Sequence, residues 1–133
     1  MSSEKSRFSA RTINLSLYAA CLAATVALIY LLAVLSGFAP FGGNSFACVD
    51  ADIQYLDFFA YLKRVLRGEA SLAYTFEKVL GGNNVAVFSY YLTSPFNLLV
   101  LFFEQKDFHS MFTLMVAGKL GVAAAFFAIY LRA

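Results

Sequence analysis

Charge is what this chain has least of. Asp, Glu, Lys and Arg make up 14% of its 133 residues, against roughly 25% in soluble domains. From Thr12 to Val49 there is no charged residue at all. An ordinary soluble fold is excluded on that ground, and an integral membrane protein is indicated. Excess of one sign is also missing. A net charge of +2 with scattered basic residues leaves no patch for a phosphate backbone, which excludes a nucleic-acid binder. Cysteine occurs twice, as Cys21 inside the apolar run and Cys48 beyond it, and these give neither a disulfide framework nor a metal-ligand spacing. Histidine occurs once, at His109, and a lone imidazole is not read as a ligand.

What is present is hydrophobic: 61% of all residues are hydrophobic and 17% of all residues are aromatic, with a mean hydropathy of +0.71. Lys5, Arg7 and Arg11 precede an apolar run from Ile13 to Phe38 that is about twice as long as a signal-peptide core, so it reads as a retained span. The positive-inside rule assigns residues 1–12 to a cytoplasmic tail and 13–36 to a first transmembrane helix. Its polar side chains Asn14, Ser16 and Thr25 can bond within the helix or lie near an end, as in a plain anchor.

Gly37, Pro40, Gly42 and Gly43 stop this helix, and residues 37–107 are expected to form an extracytoplasmic loop. Two acids, Asp50 and Asp52, arrive where the chain leaves the membrane. Tyr55, Phe58, Phe59, Leu62, Val65 and Leu66 then recur at helical spacing, with Gln54, Asp57, Arg64 and Arg67 mostly opposite. This predicts an interfacial amphipathic helix over about 52–67, its aromatic face toward lipid. Asp52 can cap it, Lys63, Arg64 and Arg67 suit its negative end, and Gly68 suits a left-handed stop. Arg64 and Arg67 can meet lipid headgroups or a carrier phosphate.

A polar connection follows, ending in the turn-forming run Gly81-Gly82-Asn83-Asn84. Ser94 and Pro95 suit the start of a new helix, which leaves about 14 Å for residues 95–103 at about 1.5 Å per residue. That is half a membrane, so this segment reads as interfacial or re-entrant. A kinked full span from Val85 is the alternative. Tyr90, Tyr91, Phe102 and Phe103 read as aromatic belt anchors. Residues 108–131 form a second transmembrane helix with Lys119 in its middle. A lysine there costs roughly 2.5–3.5 kcal/mol on insertion scales, so it must face a cavity or an anionic partner, or snorkel to the interface. Gly118 and Gly121 beside it suggest close helix packing. The expected fold is all-α integral membrane, with two transmembrane helices and two outer-face interfacial or re-entrant helices.

Val49-Asp50 followed by Gln54-Tyr55, then Phe58-Phe59-Ala60-Tyr61, Gly81-Gly82-Asn83 and Tyr90-Tyr91-Leu92-Thr93-Ser94-Pro95-Phe96-Asn97, resemble the amino-terminal part of the YfhO family of bacterial membrane proteins. The resemblance implies a GT-C-type glycosyltransferase of the bacterial cell membrane, moving a sugar from a polyprenyl-phosphate carrier to a cell-envelope polymer such as lipoteichoic acid. Its partners would be the bilayer, the polyprenyl-phosphate sugar and the remaining spans of a longer protein. Family members continue through many more spans, so a fragment, inactive by itself, is expected. Asp50 matches the family's acidic position and is the candidate base, its proton affinity raised by partial burial. Asp52, Gln54, Tyr55 and Lys119 are the candidate substrate-binding residues. An Asp-x-Asp pair can hold a divalent cation, though this sequence does not require one. The rival expectation is a small non-catalytic membrane protein that packs on a larger partner through the Gly/Ala face near Lys119.

Overall fold

The structure, a computed structural model, describes residues 2–76, 81–83 and 85–132. Asn84, the last residue of the expected turn, lies outside them, as does the side chain of Tyr91. In order, the elements are α1 (Ser2–Leu35), a π-helical turn (Ala51–Tyr55) running into α2 (Leu56–Leu66), strands β1 (Tyr74–Thr75) and β2 (Gly82–Asn83), α3 (Val85–Val87) running into a π-helical stretch (Phe88–Leu92), a 3-10 helix (Pro95–Leu101), a 3-10 turn (Gln105–Asp107), and α4 (Phe108–Tyr130).

Two segments are long and apolar enough to cross a bilayer, Asn14–Leu35 and Gln105–Tyr130. At about 1.5 Å per residue each exceeds the roughly 30 Å hydrocarbon core. Leu15, Leu28, Leu31, Val34 and Leu35 of α1 are each more than half exposed, as are Phe126, Phe127 and Tyr130 of α4. Apolar surface on that scale has lipid as its solvent. Thr25 satisfies its hydroxyl inside α1, donating to Cys21 O at 2.9 Å.

The spans form an antiparallel hairpin. At its open end Arg132 Nη1 donates to Asn14 Oδ1 at 2.5 Å, and at the loop end Thr113 Oγ1 donates to Ala39 O at 2.7 Å. Between them Gly121 lets the backbones approach: a Cβ there would lie 2.9 Å from Val26 Cγ2 and 3.3 Å from Leu22 O. Small residues serve this purpose where lipid supplies no hydrophobic drive between helices.

The core sits at the loop end, where Phe59 and Leu62 of α2, Leu92, Val100 of the 3-10 helix, and Phe108, Met111 and Met115 of α4 are buried together. This corrects the expected orientation of α2. Its aromatic face meets the protein, because the 3-10 helix and the first half of α4 cover it, and lipid is kept off. The helix ends as its sequence predicts, with Gly68 at φ +78, a conformation open to glycine at no steric cost. Tyr61 Oη then donates to Ser71 O at 2.5 Å, fastening the polar connection to α2. A two-residue antiparallel ladder, Tyr74 opposite Asn83 and Thr75 opposite Gly82, is the one strand pairing among the described residues, and it went unpredicted.

Pro95 does open a helix, with Ser94 extended before it (φ −68, ψ 133), but the helix is 3-10 and ends at Leu101. Seven residues at about 2.0 Å each give about 14 Å, and Thr93–Ser94 interrupt the helical conformation before it. Asn97 and Val100 on this segment are buried, while Phe102 just after it is 82% exposed, as a belt residue would be.

Candidate functional site

The acidic stretch begins on a distorted residue. Val49 has φ +52, and for a β-branched side chain this left-handed conformation costs about 1–3 kcal/mol. The turn is held by backbone bonds from Ala51 N to Cys48 O (3.1 Å), Asp52 N to Val49 O (3.1 Å) and Ile53 N to Val49 O (3.2 Å). It starts the π-helical turn one residue earlier than the sequence suggests. Asp50 therefore takes the N-cap position, with no side-chain capping bond, and Asp52 falls inside the first turn. Asp52 does not cap the helix, which corrects that expectation. Asp50 is exposed, so the partial burial expected of a base is not supplied by the residues described here.

Asp52 points elsewhere. Its Oδ1 lies 3.9 Å from His109 Nε2, both side chains being about half exposed (52% and 43%). The other imidazole nitrogen, Nδ1, lies 2.8 Å from Ser45 Oγ, and that oxygen accepts the Ala47 N–H at 2.9 Å. His109 thus joins the loop before the acids to the first turn of α4. Ser45 and His109 are 64 residues apart, and no spacing rule links them. If the serine hydroxyl donates to Nδ1, then Nε2 carries the hydrogen that faces Asp52.

Lys119 and Tyr55 do come together. They share a cavity of about 360 Å³ with Phe59, Tyr90, Phe112 and Met115. Lys119 lies about 16 Å along α4 from Phe108 at about 1.5 Å per residue, and helical side chains lean toward the N-terminus. Phe112 and Met115 are on that side, so the ammonium is offered back toward the loop end. Tyr90 walls this cavity while remaining 76% exposed. Gln54 is exposed, one residue before Tyr55. Asp50, Asp52 and Gln54 are not among the residues lining the cavity.

On the neighbouring face of α4 an apolar groove of about 380 Å³ runs between Pro95, Phe96, Leu99 and Phe102 on one side and Leu114 and Gly118 on the other. A Cβ at Gly118 would lie 3.1 Å from Phe96 Cε1. Gly118 thus lies against Phe96, and Gly121 against α1, within the chain. Among the described residues no group of three or more His, Cys, Asp and Glu side chains converges as metal ligands would. Cys21 and Cys48 are both free thiols.

A family model described as bacterial membrane protein YfhO matches residues 21–133. No curated protein matches the chain, and no solved structure does.

Proposed function

The chain belongs to the YfhO family of bacterial membrane proteins, and from that premise we propose that it is the amino-terminal part of a GT-C-type glycosyltransferase. Its reaction is transfer of a sugar from a polyprenyl-phosphate carrier to a cell-envelope polymer such as lipoteichoic acid. The observation that supports this reading is the short stretch Asp50 to Tyr55, which bears both carboxylates and whose last residue, Tyr55, lines the cavity holding Lys119.

In this mechanism Asp50 accepts the proton of the acceptor hydroxyl as that oxygen attacks the anomeric carbon. The bond from that carbon to the phosphate oxygen breaks, and the carrier phosphate leaves with the electron pair. The Lys119 ammonium, facing a cavity lined with aromatic rings, balances the charge of the departing phosphate. Tyr55 and Gln54 orient the sugar, Asp52 is steadied by His109, and the groove beside Phe96 and Leu114 gives the prenyl chain an apolar path. The remaining spans of a longer protein complete the acceptor side. With the amino terminus cytoplasmic, the acids stand on the outer face.

The test is made in cells with a complete family member carrying this segment. Asp50→Asn removes the proton acceptor while keeping shape, and sugar on the teichoic polymer is read by mass spectrometry. Transfer falls at least 100-fold if a base of the usual effect, about 10²–10⁴-fold, is lost, with membrane levels unchanged. Full modification of the polymer by the Asn variant removes Asp50 from the mechanism.

A further inference from the structure

We propose that Tyr90 recognises the transferred sugar, stacking its ring on the C–H face of a neutral pyranose held in the Lys119 cavity. The inference rests on the glycosyltransferase reading and carries it from the carrier phosphate to the group that the phosphate bears.

Tyr90 belongs to the π-helical stretch Phe88–Leu92, and both ends of that stretch are fixed. Leu92 is buried in the core, and Phe88 packs against it. Tyr90 between them is 76% exposed, yet it walls the cavity of about 360 Å³ that holds Lys119. The backbone is thus placed by burial on either side, while the ring forgoes the stabilisation that its own burial would give. A ring held in this way is offered to whatever enters the cavity.

The lining selects the occupant. Phe59 and Met115 are buried members of the wall, and the polar groups are the hydroxyls of Tyr55 and Tyr90 and the ammonium of Lys119. An inorganic anion has no use for aromatic walls, and a hydrocarbon chain has none for a cation. A sugar on a phosphate uses both. Its phosphate answers Lys119, its hydroxyls reach the phenols, and its C–H bonds, slightly positive, meet the negative face of the tyrosine ring. Small-molecule sites run from about 300 to 1,000 Å³, so about 360 Å³ suits one sugar and not an oligosaccharide. Among the described residues that line the cavity none is acidic. A sugar bearing an ammonium group finds no counter-charge in that wall beside Lys119, which selects a neutral one.

The experiment uses a complete family member carrying this segment, reconstituted in phosphatidylglycerol vesicles with lipoteichoic acid as acceptor. Polyprenyl-phosphate donors bearing glucose, galactose, N-acetylglucosamine and the cationic glucosamine are offered in turn, and initial rates are read against the mole fraction of the donor that is transferred. Inhibition by sugar-free polyprenyl phosphate, which keeps the phosphate and the chain, is measured beside them. Tyr90→Leu raises KM for the donor about 10-fold, the effect of losing one aromatic stack, and leaves inhibition by the sugar-free carrier unchanged. Tyr90→Phe keeps the ring and stays within about twofold of wild type. Should Tyr90→Leu fail to reach the membrane, Tyr90→Met replaces it. An unchanged KM without the ring overturns the proposal. So does an equal weakening of the sugar-free carrier, which would mark a ring that seats its own stretch or anchors it in the interface. Transfer of glucosamine as fast as N-acetylglucosamine overturns the selection of a neutral sugar. If wild type transfers none of the four, the glycosyltransferase reading itself falls, and this inference with it.

Discussion

Val49 carries a local cost that nothing about its own side chain repays. At φ +52 its branched Cβ crowds the backbone, yet the bend it makes is what turns Asp50 outward and Asp52 toward His109. Val49→Gly removes the crowding, so the folded chain is expected to stay as stable or gain up to about 1 kcal/mol, measured by unfolding in mixed micelles. On the proposed function, the same change in a longer family member is expected to lower sugar transfer, because the acids lose their fixed direction. A large loss of stability would show that Val49 is held by packing. The His109–Asp52 contact permits a sharper separation of roles. At 3.9 Å between half-exposed groups, a double-mutant cycle of His109→Ala with Asp52→Asn should return a stability coupling below about 1 kcal/mol. A greater coupling in transfer rate than in stability would place His109 with the reacting groups' supports.

At the scale of elements, what was legible depended on whether the signal was local. The spans, the stop at Gly68 and the start at Pro95 were legible because each rests on residues adjacent in sequence. The facing of α2 was not. Its periodicity states that Tyr55, Phe59 and Leu62 share a side, and it cannot state whether lipid or protein lies against that side. That is decided by Val100, Met111 and Met115, far along the chain. The same reason hid Ser45 behind His109; Tyr55 and Lys119 were grouped through the family resemblance alone, while the acidic pair was legible from its position after the uncharged run. Two substitutions measure the packing directly. Phe59→Ala, at a site 3% exposed, is expected to cost about 3–5 kcal/mol and to loosen α2. Gly121→Leu forces a side chain against Leu22 and Val26 and is expected to cost about 1–3 kcal/mol by separating the spans. If Gly121→Leu is neutral, the hairpin is held chiefly by its ends, through Arg132 with Asn14 and Thr113 with Ala39.

At the scale of the whole molecule the two candidate spans form an antiparallel hairpin, and the orientation proposed for it follows from which cations count. The loop holds Lys63, Arg64, Arg67, Lys78 and Lys106, more than the termini with Lys5, Arg7, Arg11 and Arg132. A raw count would turn the protein over. Charges act on orientation chiefly within about 15–20 residues of a span, however, and long loops cross largely regardless of charge. Within that distance the loop offers Lys106 alone, and the termini offer all four. The amino terminus is therefore expected in the cytoplasm and the acids outside. The natural cysteines report this without engineering, because Cys48 is exposed two residues before Asp50 and Cys21 is partly buried within the first span. A membrane-impermeant maleimide added to intact cells should label Cys48, leave Cys21 unlabelled, and label nothing in Cys48→Ser. Labelling of Cys48 only after permeabilisation would invert the hairpin and overturn the proposed assignment of Asp50 as a base acting on a carrier lipid at the outer face.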